Sequence, residues 1–208
     1  SSIEEAKLAV EWGVSAVGLV SEMPSGPGVI SEKLIFEIAE WIPPGISTFL
    51  LTSKLSVDEI IEQQRRCRTN TIQLCDRIVS GTHAELKQAL PGIKIVQVVH
   101  VIGEDSIQEA IDVSKFVDAM LLDSGNQKLS VKELGGTGRT HDWTISKKIV
   151  ESVNKPIFLA GGLNPLNVTC AIEQVKPFGV DVCSGVRTNG KLDREKLKLF
   201  IKNVRESV

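Results

Sequence analysis

Residues Ile157–Val186 read IFLAGGLNPLNVTCAIEQVKPFGVDVCSGV and contain one complete strand–helix–strand unit. Ile157–Ala160 is a short unbroken apolar run, which is typical of a strand buried on both faces. Asn164–Val175 is predicted to be a helix, and Gly179–Val182 is a second strand-like run. Two consecutive strands joined by such a helix run parallel, because the crossover returns the chain to the same edge of the sheet.

The same alternation extends over the rest of the chain and totals seven predicted strands and eight predicted helices. The other strands are predicted at Ala16–Val20, Ser47–Leu51, Thr71–Leu74, Ile93–Val101 and Ala119–Leu122. The other helices are predicted at Ile3–Trp12, Ser31–Trp41, Ser56–Arg66, His83–Leu90, Asp105–Ser114, Trp143–Val153 and Asp193–Val204. Repeated units of this kind form either a closed eight-stranded TIM (β/α)8 barrel or an open doubly wound sheet.

The barrel is favoured because the units are short and even and no strand is followed by the GxGxxG fingerprint of a dinucleotide-binding sheet. A length of 208 residues fits one α/β domain spanning residues 1–208. The chain opens with a helix, so we expect the first strand of the barrel to be missing from it.

The composition excludes several classes of protein. A formal net charge of -2 argues against a nucleic-acid-binding protein, and no apolar run reaches the roughly 20 residues that span a membrane. The four cysteines show no CxxC spacing, which indicates neither a zinc site nor a disulfide framework and favours a reduced, cytoplasmic setting.

Two neighbouring strand exits predict a phosphate pocket. Gly161 and Gly162 follow one strand and directly precede a helix, and Ser184 and Gly185 follow the next strand. Glycines let the backbone approach an anion, and the amides at a helix start point toward it. The alternative is that these glycines only form tight turns.

Acidic residues at two strand ends are candidates for catalysis. Asp123 ends an apolar run where an acid has no packing purpose, so it could serve as a general acid, although a helix cap or a loop salt bridge would explain it equally well. Asp181 is predicted to lie inside a strand, as a substrate contact or a structural hydrogen-bonding group. Gly136 lies in a glycine-rich loop that could hinge over a ligand, and we include it among the substrate-binding residues.

Several ordered blocks of this sequence resemble the phosphoribosylanthranilate isomerase family of tryptophan biosynthesis. The dense blocks are Leu121–Asp123, Gly135–Gly138, Asp142–Trp143, Leu159–Val168, Ala171–Ile172 and Gly179–Val186. The thinner early blocks are Glu5–Ala6, Ala16–Gly18 and Thr71–Leu74.

The resemblance implies a cytoplasmic isomerase that carries out the Amadori rearrangement of an aminoaldose phosphate to an aminoketose phosphate. It implies that Asp123 is the general acid, that the backbone around Gly161, Gly162, Ser184 and Gly185 binds phosphate, and that Asp181 contacts the sugar. It implies a small phosphorylated sugar as substrate, no cofactor and no metal, and a monomer or homodimer without nucleic-acid or membrane partners.

Some positions depart from the family pattern. The family base is a cysteine at the end of the first strand, and no cysteine here occupies that position. The loop Ser25–Val29 lacks the arginine that would hold the substrate carboxylate, Cys75 replaces the usual histidine, and Arg187 replaces the usual acid. These departures leave two alternatives open: a weakened relative that binds a phosphorylated ligand without turnover, or a barrel enzyme of another reaction, such as an aldolase or epimerase, that shares only the phosphate pocket.

Overall fold

Parallel strands and helices alternate along the chain in the computed structural model, which describes residues 2–24, 26–125, 132–134 and 138–207. The strands are β1 (Ala16–Val20), β2 (Ser47–Thr52), β3 (Thr71–Leu74), β4 (Lys94–His100), β5 (Ala119–Asp123), β6 (Ile157–Leu159), β7 (Gly179–Val180), β8 (Arg187–Thr188) and β9 (Lys191–Leu192). The helices are α1 (Ile3–Glu11), α2 (Glu32–Trp41), α3 (Val57–Cys67), α4 (His83–Ala89), α5 (Asp105–Ser114), α6 (Trp143–Ser152), α7 (Val168–Val175) and α8 (Arg194–Glu206). A 3-10 helix, Ser184–Val186, lies between β7 and β8.

Most of the predicted elements are confirmed to within two residues at each end. Side chains that cap helices explain several of the starts. The Ser31 hydroxyl accepts a hydrogen bond from the Leu34 amide at 3.2 Å and begins α2. Thr82 and Glu85 form a reciprocal capping box that begins α4. Ser56 precedes α3 but makes no side-chain capping bond.

Two predicted features are wrong, and one feature of the structure was missed. α7 begins at Val168 and not at Asn164, because the Asn167 side chain accepts the Asn164 amide at 2.8 Å and closes a separate turn. β7 ends at Val180, so Asp181 lies just beyond the strand. The short antiparallel hairpin of β8 and β9 was not predicted.

The described residues form two compact units. The first comprises residues 2–24 and Gly28–Gln97, where β1, β2, β3 and the start of β4 pair in parallel in chain order. Ile35 on α2, Leu50 on β2 and Cys67 on α3 are fully buried in its core.

The second unit comprises residues 26–27 and 98–207. β5, β6 and β7 pair in parallel in chain order, with Leu122 opposite Leu159 and Leu159 opposite Val180. Leu122, Leu159 and Ile149 of α6 are fully buried, which places an apolar layer between strands and helices. None of the described helices is long and apolar enough to cross a membrane.

Candidate functional site

A polar pocket lies at the carboxyl ends of β5, β6 and β7, within the second unit. It encloses about 310 Å³, part of which is open to solvent. Its lining consists of Asp123, Gly138, Ala160, Gly161, Gly162, Leu163, Asp181, Val182, Cys183 and Ser184. The carboxyl ends of parallel strands are where α/β proteins carry their ligand sites, because the loops that follow the strands converge there.

Asp123 is the last residue of β5 and is only 6% exposed. The amide of Ser124 donates a hydrogen bond to its Oδ1 at 2.7 Å. Burial raises the pKa of Asp123, and this outweighs the hydrogen bond from Ser124 and the nearby imidazole of His100, which both lower it. A carboxyl in such surroundings keeps its proton to a higher pH than an exposed aspartate does.

Asp181 lines the same pocket, and its side chain is exposed. Although its side chain is exposed to the pocket, protein surrounds it on the other sides. Desolvation by these surroundings, together with the negative charge of Asp123, raises the pKa of Asp181 to about 6, against a small opposing effect of the Val182 amide. The pocket therefore holds two mutually repelling carboxyl groups, a pattern that is frequent in sites of acid–base chemistry.

The two predicted glycine loops lie next to these acids. Gly161 and Gly162 have φ angles of +82° and +63°, a backbone conformation that glycine adopts without strain. A Cβ on Gly185 would overlap the carbonyl oxygen of Leu163, so only glycine fits there. Among the described residues, the structure shows no hydrogen bond from the amides of Gly161, Gly162, Ser184 or Gly185.

Gly161, Gly162 and Ser184 line one pocket, so the two loops lie side by side, while the binding of an anion in a cradle of their amides stays a prediction. The Asn164 amide, in contrast, is used internally by Asn167 and does not belong to this cradle. The predicted ligand contact Gly136 lies outside the described residues, whereas Gly138 lines the pocket close to Ser184.

Two histidines were given no role by the sequence. His100, at the end of β4, lies beside Asp123. His141 places its Nε2 atom 2.6 Å from the Ser146 hydroxyl, and burial lowers its pKa to about 4. The sequence did contain a signal for His100: it ends a buried strand, and the next strand along the chain ends in Asp123.

The thiol of Cys183 also lines the pocket. Burial and the nearby Asp181 carboxylate raise its pKa, against the smaller effect of Arg187. The described residues contain no group of three or more histidine, cysteine, aspartate or glutamate side chains that could hold a metal ion.

Parallel strands with intervening helices, and a polar pocket at the carboxyl ends of the strands, define a protein of the (β/α)-barrel class. The family model of N-(5'phosphoribosyl)anthranilate (PRA) isomerase matches residues 51–203. The chain belongs to this family. The resemblance inferred from the sequence blocks is therefore confirmed.

Relatives in archaea match almost the whole chain. The N-(5'-phosphoribosyl)anthranilate isomerase 2 of Methanosarcina mazei is 36% identical over 96% of this chain and 88% of its own length. The isomerase of Methanocella arvoryzae is 32% identical over 97% of this chain and 93% of its own length.

Solved structures of the family share the fold. The phosphoribosyl anthranilate isomerase of Thermotoga maritima is 30% identical, with a TM-score of 0.80 over 99% of this chain and 95% of that one. An isomerase in complex with reduced 1-(o-carboxyphenylamino)-1-deoxyribulose 5-phosphate is 29% identical, with a TM-score of 0.77 over 99% and 94%. This likeness confirms the predicted TIM-barrel class of fold.

Proposed function

We propose that this protein isomerises phosphoribosylanthranilate to the corresponding aminoketose phosphate, in the synthesis of tryptophan. The observation that carries the proposal is one pocket in which a buried carboxyl, Asp123, lies with backbone amides that make no hydrogen bond to any other described residue. This combination offers a proton at one end and an anion cradle at the other, as the rearrangement of a sugar phosphate requires.

The phosphate of the substrate binds the amides of Gly161, Gly162, Ser184 and Gly185. Binding at this end orients the sugar in the pocket, so that the remote phosphate contributes to the rate of the reaction at the ring.

Asp123 then gives its proton to the ring oxygen of the furanose, the bond from C1 to that oxygen breaks, and an imine forms. A base removes the proton on C2, and the resulting enol becomes the ketose. Asp181 contacts the sugar hydroxyls from the opposite side of the pocket. We assign Asp123 as the general acid because burial favours its protonated form.

A second candidate function is binding of the same phosphorylated ligand without turnover. One observation favours it: Cys183, the cysteine among the described pocket-lining residues, has a raised pKa and so a small fraction of thiolate. The base for the C2 proton is thus not assigned to a side chain of the described pocket.

Rescue of a tryptophan auxotroph that lacks this isomerase separates the two functions. The full-length coding sequence is compared with its Asp123→Asn and Asp142→Asn variants. Asp142 caps α6 on the surface, and asparagine caps helices equally well, so this variant is a control for the loss of a carboxylate. Growth with the wild type and with Asp142→Asn, but not with Asp123→Asn, supports the isomerase.

Soluble wild-type protein that binds ribose 5-phosphate but does not restore growth would favour binding without turnover.

Purified protein also tests our proposal of a monomer or homodimer, by light scattering after gel filtration. We further propose that the protein works in the cytoplasm, which is consistent with the absence of any disulfide among its four cysteines.

A further inference from the structure

His100 is a buried histidine at the mouth of the second unit's sheet. It ends β4 and is 5% exposed. The amide of the next residue, Val101, donates a hydrogen bond to the carbonyl oxygen of Asp123 at 2.9 Å. This bond brings the ends of β4 and β5 level, so that His100 and Asp123 leave their strands side by side.

The imidazole lies over the turn that follows Asp123. A Cβ added to Gly125, two residues after the acid, would overlap Nδ1 of His100 and lie 2.7 Å from its Cε1. The backbone of His100 is held as well, because its carbonyl oxygen accepts the Ser106 hydroxyl at 3.3 Å and the same hydroxyl accepts the Ile102 amide at 3.2 Å. Ring and strand end are thus both fixed against the segment that carries the acid.

Groups from two other segments of the second unit interact electrostatically with Asp123. The imidazole of His100 on β4 favours the ionised carboxylate, and Asp181 after β7 disfavours it by repulsion. Cys183 lies further along the chain, where burial and the Asp181 carboxylate raise its pKa and Arg187 lowers it. The Ser124 amide, the His100 imidazole and the Ser124 hydroxyl all oppose the effect of burial on Asp123, and His100 is the one of these groups that comes from another strand.

We propose that His100 is a positioning residue for the general acid: its imidazole holds the Asp123 carboxyl toward the pocket and compensates the negative charge that remains after proton transfer. The proposal rests on the proposed function, in which the O–H bond of Asp123 breaks and an O–H bond forms on the furanose oxygen. The carboxylate that remains is buried, and an isolated buried charge is costly unless a partner faces it. No oxidant, reductant or further reactant is needed.

The test compares the wild type with His100→Gln and with His83→Gln as a matched control. His83 is also a half-buried histidine whose Nε2 contacts a glutamine, Gln97 Oε1 at 3.3 Å, but it lies in the first unit. The pH titration of the Asp123 carboxyl is followed by carbon-13 NMR of labelled aspartate, and kcat and KM are measured over the same pH range.

In His100→Gln, we expect Asp123 to titrate at higher pH, because one of the effects that lower its pKa has been removed while the hydrogen bond from the Ser124 amide remains. The alkaline limb of the pH profile of kcat/KM shifts to higher pH together with the pKa of Asp123. We expect kcat to fall on the order of tenfold and KM to change little, since the ground-state contacts to phosphate remain. His83→Gln leaves all three quantities unchanged. A merely structural role for His100 would lower the melting temperature and leave the titration of Asp123 where it is, which would overturn the proposal.

A second measurement keeps the wild-type histidine. The ring-nitrogen resonances of His100 change between the wild type and Asp123→Asn if the two side chains interact, while those of His83 stay constant. Unchanged His100 resonances would also overturn the proposal. Both NMR readouts work without turnover, so a wild type that lacks isomerase activity refutes the proposed function and leaves the pairing of His100 with Asp123 to be judged separately.

Discussion

Replacing Asp123 with asparagine tests whether the reaction needs the proton of Asp123, because the shape of the side chain and its hydrogen bond from Ser124 are kept. The amide has nearly the same shape as the carboxyl, and its oxygen can still accept the Ser124 amide at 2.7 Å. The substitution removes the acidic proton and the negative charge that faces Asp181. We expect kcat to fall about 10²–10⁴-fold, which corresponds to roughly 3–5 kcal/mol of transition-state stabilisation. Affinity for ribose 5-phosphate stays the same or increases, because backbone amides hold the phosphate and one repelling charge has gone.

The same substitution changes how stability depends on pH. Asp181 has a folded-state pKa of about 6 against an ordinary value of 3.8, so its ionisation destabilises the fold above pH 6 and has no effect below pH 3.8. Asp123 has a raised pKa and contributes with the same sign. Asp123→Asn relieves both, so we expect a melting temperature above that of the wild type at pH 7 to 8, and a difference that disappears as the pH falls below about 4.

Turnover is followed by the fluorescence of the anthranilate group, and melting by calorimetry between pH 4 and pH 8. Asp142→Asn is the control, since the pKa of Asp142 is lowered by hydrogen bonds from the start of α6 and not by the pocket. Unchanged kcat in Asp123→Asn would refute the assignment of the acid. A melting-temperature gain that is larger at pH 4 than at pH 8 would refute the repulsion between the two carboxyl groups.

Three further substitutions test other parts of the structure. Gly185→Ala abolishes ribose 5-phosphate binding in titration calorimetry, because the methyl group would overlap the Leu163 carbonyl oxygen; retained affinity would show that the cradle is not needed. Thr82→Ala removes the capping box of α4 and lowers the free energy of unfolding in urea by about 1 kcal/mol, with kcat unchanged. Leu122→Ala leaves a cavity in a fully buried layer and lowers the same free energy by about 2–5 kcal/mol; a loss below that range would mean that the core collapses around the gap.

Apolar runs in the sequence were sufficient to predict the strands, because strands buried on both faces carry an uninterrupted signal that few other elements share. The seven strands predicted from the sequence are all present among the residues that the structure describes. The start of α7 was misplaced because Asn164 and Asn167 bond to nearby backbone groups, and such local bonds compete with a helix. The prediction of one domain over the whole chain stays a prediction.

The candidate site likewise contains residues that could be predicted from the sequence and residues that could not. Asp123 and the glycine loops could be chosen as candidates from the sequence because acids and glycines at strand exits suit a ligand site, although a helix cap, a salt bridge or tight turns would explain the same residues. The approach of His100 to Asp123 depends on the register between β4 and β5, a long-range property that no local pattern encodes. The raised pKa of Asp181 likewise depends on a carboxyl that is 58 positions away in the sequence, counted from Asp123 to Asp181.

The close approach of two loops at the phosphate cradle limits how this protein can be engineered. A Cβ on Gly162 would lie 2.5 Å from the carbonyl carbon of Arg139 and 2.7 Å from the amide nitrogen of Thr140, so main chain from one loop fills the volume of the missing side chain. The backbone path at residues 139 and 140 therefore cannot move toward Gly162. A chimera with a homologous isomerase should therefore exchange the loop that contains Gly162 together with the loop that contains Arg139 and Thr140. Either loop alone would pack against the loop of the other protein, whose backbone follows a different path.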